Sequence, residues 1–85
     1  MSMPWVLYIL ECADGTFYTG ITNDLDQRLQ KHESGTGAKY TKGRGPFKLA
    51  HLETLQNRSE ASKREIAVKA LRREEKLKLI GKRQG

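Results

Sequence analysis

Two phenols ten residues apart, Tyr8 and Tyr18, are followed by a guanidinium and an imidazole four residues apart, Arg28 and His32. Carboxylates come later, among them Glu60 and Glu65. Groups that hold or pass a proton, with a cation and a carboxylate beside them, can serve phosphodiester chemistry if the fold brings them together. Each residue also has a plainer reading when taken alone. A strand tyrosine is usually a core aromatic with its hydroxyl at the rim, and a single histidine is more often a hydrogen-bonded boundary residue. Arg28 is harder to explain away, and the reason lies in the element that carries it.

Residues 4 to 12, PWVLYILEC, and 16 to 21, TFYTGI, are rich in β-branched, aromatic and aliphatic types and are separated by Ala13-Asp14-Gly15, which reads as a β-hairpin. A three-residue loop ending in Gly sets a register in which Tyr8 faces Gly20 and Leu10 faces Tyr18. One face then carries Val6, Tyr8, Leu10, Tyr18 and Gly20. The other carries Trp5, Leu7, Ile9, Phe17 and Ile21 and is expected to be the drier. A two-residue Asp-Gly turn would shift the register by one and part the tyrosines, so their shared face depends on loop length.

Asn23 or Asp24 caps a helix running to about Ser34, whose inward stripe reads Leu25, Arg28, Leu29 and His32. An arginine and a histidine on the side that meets the sheet require polar partners there. Phe47 to Leu55 alternates as a third strand of the same sheet, with Phe47, Leu49, His51, Glu53 and Leu55 on one side. From Ser59, serving as N-cap, to about Ile80 no Gly or Pro interrupts a helical composition, and Gly81 ends it. The stripe Ala61, Ala67, Val68 and Leu71 is lost at Leu77 and Ile80, which implies a break near Arg72. The order β-β-α-β-α-α is that of an α/β protein of the α+β type, a small three-stranded antiparallel sheet flanked by helices.

The 85 residues are expected to form one domain, with its core at about 4–80 and a frayed tail at 82–85. Cys12 is the sole cysteine, which excludes an internal disulfide, and with only His32 and His51 beside it structural zinc is not expected. Cys12 reads as a small core residue. The longest apolar stretch, Trp5 to Leu10, is far short of the ~20 residues of a membrane span, and no signal-peptide pattern is present, so a cytoplasmic, soluble protein without membrane contact is expected.

Sixteen basic residues against ten acidic give +6, a balance that suits polyanions. The charge is uneven: residues 1–27 sum to −4, 28–48 to +5 and 49–85 to +5. The Gly-rich stretch from Ser34 to Pro46, SGTGAKYTKGRGP, lets backbone approach a phosphate strand while Lys39, Lys42 and Arg44 neutralise it. Tyr40 either stacks on a base or packs under its own loop. The stretch is not a P-loop, since no Gly-Lys-Ser/Thr stands at the required spacing.

Val6-Leu7-Tyr8 and Tyr18-Thr19-Gly20, followed by Arg28-x-x-x-His32 and Ala61-x-x-x-Glu65, resemble the paired signature of the GIY-YIG nuclease superfamily over residues 5 to 70 or so. The chain is similar to its small stand-alone bacterial members, with which it shares text like HESGTGAKYT and SEASKRE. Val6 stands where the name-giving motif has Gly, and the polar residue that several family nucleases carry after the Glu has no clear match.

The resemblance implies the GIY-YIG fold and metal-dependent phosphodiester cleavage, with Mg²⁺ or Mn²⁺ as cofactor. On that pattern Glu65 is the sole protein ligand, suiting an ion that keeps its waters. Periodicity leaves Glu60 and Glu65 open, and the family pattern selects Glu65. Tyr8 is the general base and Tyr18 its support; because a phenol of pKa ~10 is a poor base at neutral pH, Arg28 is expected to lower that value as well as hold the scissile phosphate. His32 orients Tyr8 or the water. Gly20 leaves a bare patch of sheet for substrate or metal, and Lys69 joins Lys39, Tyr40, Lys42 and Arg44 as a nucleic-acid contact. The expected function is a metal-dependent DNA endonuclease, DNA being favoured over RNA, structure-selective in repair or recombination. With no recognition helix or zinc finger, a protein partner is expected to supply specificity. The alternative is a non-catalytic nucleic-acid-binding module with the same fold. A third, weaker option is a protein-interaction module.

Overall fold

The loop of the first hairpin sets everything downstream. A computed structural model describes residues 4–37 and 41–81. In it, β1 (Trp5–Glu11) and β2 (Phe17–Thr22) are joined by Ala13-Asp14-Gly15, with Cys12 N–H donating to the Thr16 carbonyl at 2.8 Å and Gly15 N–H to the Cys12 carbonyl at 2.9 Å. Gly15 takes φ +84°, a left-handed conformation that glycine adopts at no steric cost. Asp14 Oδ1 accepts from the Thr16 N–H at 3.1 Å and the Thr16 hydroxyl at 2.6 Å, which pins the turn. Tyr8 therefore faces Gly20 and Leu10 faces Tyr18, with both phenols on one face, as a three-residue loop predicts.

A third strand, β3 (Lys48–Leu55), pairs antiparallel with β1, giving the sheet order β2-β1-β3. Here the expected alternation fails. Ile9 faces His51 but Leu10 faces Leu49, so Ala50 is an extra residue, a bulge that reverses the side on which preceding residues emerge. Only His51, Glu53 and Leu55 share the Leu7 and Ile9 face, whereas Leu49 turns to the tyrosine side.

The first helix, α1 (Leu25–Ser34), is capped by Asp24, which accepts from the Gln27 N–H at 3.2 Å, and it ends at Gly35 with φ +82°. In α2 (Arg58–Lys69) the cap is Asn57 rather than Ser59: its side chain accepts from the Glu60 N–H at 2.9 Å, and Ser59 lies inside the first turn. Asparagine caps as well as serine, and it stands where the strand ends. The expected break falls at residues 70–72, and α3 (Arg73–Leu79) follows.

Reorientation at that break returns Leu79 and Ile80 to the core, where they pack with Phe17, Ile21 and Leu55 around buried Leu7, Ile9 and Val68. Each fully buried aliphatic contributes about 1.5–3 kcal/mol. Ala67, expected on the inward stripe, is exposed. The Leu7 face is not the drier one at its centre, because Tyr8 and Leu10 on the opposite side are as buried as Leu7 and Ile9. Cys12 is buried, as its reading as a core residue requires. Glu53 ties α2 to β3: Arg64 donates to its two oxygens at 2.8 and 3.0 Å, and the Arg64 guanidinium, with burial opposing and His51 assisting, holds the carboxyl below its ordinary range. Among the described residues no helix is long and apolar enough to cross a membrane.

Candidate active site

On the far side of the sheet from α2's packing, α1 lays His32 and Arg28 over the tyrosines. His32 Nε2 lies 2.9 Å from the Tyr8 hydroxyl, and Arg28 Nε donates to that same oxygen at 3.4 Å. The His32 ring meets Tyr8 edge-on at a centroid distance of 5.8 Å and Tyr18 at 5.2 Å, and the two phenols are 6.3 Å apart. The inward stripe of α1 thus finds its polar partners on the hairpin face that the register predicts.

Three further residues complete the histidine's cage. Thr41 Oγ1 lies 2.8 Å from His32 Nδ1, and both side chains are almost wholly buried. Phe47 sets its ring edge-on to the imidazole at 6.0 Å. Gly37 backs the ring so closely that a Cβ there would lie 2.6 Å from Nδ1. Sequence reasoning missed all three. Thr41 reaches His32 from a loop that has no period, and Phe47 joins the site only because the bulge ahead of His51 reverses its side.

The donor inventory orders the protons. Arg28 can only donate, so Tyr8 Oη accepts from it and directs its own proton to His32 Nε2. Nδ1 then carries the imidazole proton and donates it to Thr41 Oγ1. The other tautomer would have Tyr8 accept from both neighbours and strand its own buried proton, at a cost of about 1–3 kcal/mol.

Charge follows the same geometry. Burial, with Arg28's positive charge second, pushes the His32 imidazole below its ordinary value, and Glu33 opposes this weakly; the ring is neutral at pH 7. Arg28 is held above its ordinary value first by its hydrogen bond to Tyr8, against the effect of burial. The expectation for Tyr8 is corrected: its phenol is raised, not lowered. Burial is the largest cause, and Tyr18 and Glu65 add to it, outweighing the hydrogen bond and charge of Arg28. The role expected for Gly20 is corrected as well. The space over it is filled by Tyr8 itself, since a Cβ at residue 20 would lie 2.5 Å from the Tyr8 hydroxyl.

Of the two carboxylates left open by periodicity, Glu65 is half-buried, and its charge reaches Tyr8. Its Oε2 lies 3.4 Å from Lys69 Nζ. Glu60 is exposed on the first turn of α2, 3.8 Å from Lys63. Among the described residues no three His, Cys, Asp or Glu gather into a metal centre. Glu65 alone fits an ion that takes one carboxylate and retains most of its waters. Among the expected nucleic-acid contacts, Lys42 is exposed on the loop and Lys69 stands beside Glu65. Arg44 is ion-paired with Asp14 of the hairpin turn, and its carbonyl accepts from the Ala13 N–H at 2.9 Å. Lys39, Tyr40 and the tail at 82–85 lie outside the described residues.

Residues 4–78 match the GIY-YIG catalytic domain. The UPF0213 protein OB0043 of Oceanobacillus iheyensis is 55% identical over 74 residues, covering 87% of this chain and 86% of that protein. The solution NMR structure of the UPF0213 protein BH0048 from Bacillus halodurans is similar at 48% identity and a TM-score of 0.61, covering 98% of this chain and 88% of its own. That of the protein EF2693 from E. faecalis is similar at 44% identity and a TM-score of 0.63, covering 88% and 80%.

Proposed function

Because the chain belongs to the GIY-YIG family, whose catalytic domain matches residues 4–78, we propose that it is a divalent-metal-dependent endonuclease that hydrolyses phosphodiester bonds in DNA. The observation that carries this reading is the hydrogen-bonded chain in which Tyr8 Oη meets His32 Nε2 and His32 Nδ1 meets Thr41 Oγ1, with Arg28 donating to the same phenol oxygen. The substrate is structured DNA of the kind met in repair or recombination, its choice aided by a protein partner, and the setting is cytoplasmic.

Glu65 would hold the cation, Mg²⁺ or Mn²⁺, which when bound supplies charge neutralisation at the phosphate and acidifies water. The chain's own groups do the rest. Tyr8 loses its proton to solvent by way of the bare Nε2 of His32, and the phenolate left behind is stabilised by the Arg28 guanidinium. That phenolate takes a proton from the attacking water as the water oxygen bonds to phosphorus and the opposite P–O bond breaks, and the leaving oxygen takes its proton from solvent, which restores the count. Thr41 keeps Nε2 free by accepting from Nδ1, and Tyr18, against both rings, limits how far the phenol can swing.

A second reading has an observation of its own. Tyr8 is fully buried and its phenol is raised, which suits a structural hydrogen bond in a nucleic-acid-binding module without turnover. Metal separates the two. Purified protein with Mg²⁺ or Mn²⁺ should nick at least one of a panel of single-stranded, duplex, flap and four-way DNA, and Glu65→Gln should abolish the nicking. Binding without any cutting across the panel would leave the module as the function.

A further inference from the structure

The outer edge of β2 carries a hollow of about 360 Å³ that the proton path does not use, at the small end of the ~300 to 1,000 Å³ typical of ligand sites. It is lined by Phe17, Tyr18, Thr19, Lys69 and Lys76. Two lysines from different helices thus border one space. Lys76 is half-buried, so part of its side chain is already held beside the hollow. Lys69 has Glu65 at 3.4 Å, a pairing of four residues' spacing between an exposed lysine and a half-buried carboxylate, long enough for the ammonium to turn to a second anion. At the Phe17 end, Arg73 lies over the ring at 5.1 Å and adds a third cation. In the floor, Thr19 is nine-tenths buried, and its hydroxyl is the one buried side-chain polar atom among the described residues with no hydrogen-bond partner.

We propose that this hollow is an anion subsite that takes a backbone phosphate of the nucleic-acid strand, next to the phosphate presented to Tyr8 and Arg28. The reading rests on the proposed function for the identity of its ligand. Position supports it: Tyr18 belongs to both places, touching the hollow and standing 5.2 Å from the His32 ring. A strand crossing the β2 edge meets the basic hollow and the tyrosine face in succession. Lys69 and Lys76 neutralise the phosphate, and a change of the Thr19 side chain to another χ1 rotamer would give its hydroxyl an acceptor. Inorganic phosphate shares the chemistry, and the test distinguishes the two sources.

The measurement is the affinity of a fluorescent single-stranded DNA 10-mer by anisotropy across a salt series, with ¹⁵N spectra recorded during titration with inorganic phosphate. Wild type should bind the DNA, and Lys76→Gln should weaken binding about three- to ten-fold while flattening the log–log salt slope by about 0.7, one phosphate contact on a single strand. Lys76→Arg should restore both, and Lys63→Gln, on the exposed face of α2, should change neither. If wild type binds no DNA, yet phosphate shifts the Tyr18, Thr19 and Lys76 amides and Lys69→Gln/Lys76→Gln removes the shift, the subsite stands with free phosphate as its ligand and the nucleic-acid reading falls. If the slope is unchanged in Lys76→Gln, or if neither DNA nor phosphate moves those amides, the subsite is overturned.

Discussion

The phenol of Tyr8 rests against the backbone of Gly20, so that a Cβ on residue 20 would lie 2.5 Å from Oη and 2.7 Å from Cζ. The same Cβ would press on Tyr18 Cε2 at 3.1 Å. Glycine at this strand position therefore serves Tyr8, by making room for a buried ring, rather than an incoming ligand. Gly20→Ala should cost about 1–3 kcal/mol in urea unfolding, the range for an overpacked core, and should displace the His32 ring signals in NMR spectra. Unchanged stability and spectra would mean that the ring has room to spare.

Thr41 should set the tautomer of His32. In wild type the long-range ¹⁵N spectrum should report a protonated Nδ1 and a bare Nε2, the form that can accept the Tyr8 proton. Thr41→Val keeps the shape and removes the acceptor, leaving the Nδ1 proton without its partner at a cost of about 1–3 kcal/mol. The tautomer populations should mix, and any nuclease activity should fall with them. Thr41→Ser should retain the wild-type pattern. A wild-type spectrum with Nε2 protonated would reverse the direction of the proposed proton path.

Burial of a neutral His32 makes stability depend on pH in a definite direction. Its pKa is depressed on folding, so between the folded value and about 6.5 the unfolded chain binds the proton and the folded one does not. The contribution is complete above about 6.5 and is lost as pH falls through the folded value, at up to ~1.4 kcal/mol per pH unit. Subtracting the unfolding free energy of His32→Gln from that of wild type isolates it. Glu53 acts in a lower window, since its depressed carboxyl loses its contribution only as pH falls below the ordinary carboxylate range. A difference between wild type and His32→Gln that is flat from pH 7 to pH 5 would contradict the depressed histidine.

The raised Tyr8 phenol has the opposite consequence for turnover. If its phenolate is the base, the ionised fraction at neutral pH is small and grows ten-fold with each pH unit. The single-turnover nicking rate should climb with slope one on a log scale from pH 7 to pH 9. Tyr8→Phe should remove the slope along with most of the rate. A pH-independent rate in wild type would assign proton abstraction to another group.

These relationships differ in how much of them could be read before the structure. The shared face of Tyr8 and Tyr18 was legible because a three-residue loop admits one register, and the inward Arg28 and His32 because helical spacing permits no other side. Both depend on local rules. The bulge at Ala50 was not legible: nothing in Lys48 to Leu55 marks the residue at which β3 gains a position on β1, and that slip decides where Leu49 emerges. Thr41 was hidden for the same reason, since its partner is set by how a loop folds back. The sign of the Tyr8 shift required magnitudes. Arg28 was correctly identified as the group that lowers the phenol, but only burial depth determines that desolvation outweighs it.

Lys69 should affect two ligands in opposite directions. Its ammonium lies 3.4 Å from Glu65 Oε2, so a cation arriving at Glu65 must displace it or bear its repulsion. A lysine–glutamate pair at this spacing on a helix contributes about 0.3–0.5 kcal/mol, which corresponds to roughly a two-fold change in affinity. Lys69→Met, which keeps the length of the stem and removes the charge, should therefore tighten Mn²⁺ binding about two-fold in calorimetry at low ionic strength. The gain should shrink as salt screens the pair. The same substitution should weaken single-stranded DNA, because one of the two lysines lining the hollow is gone. General loss of structure would weaken both ligands, and a general gain in stability would strengthen both, so divergence is the signature of a lysine poised between a carboxylate and an anion site. Glu65→Gln should abolish the cation effect and leave the Lys69→Met penalty on DNA in place. If Lys69→Met moves both affinities the same way, Lys69 does not link the two sites.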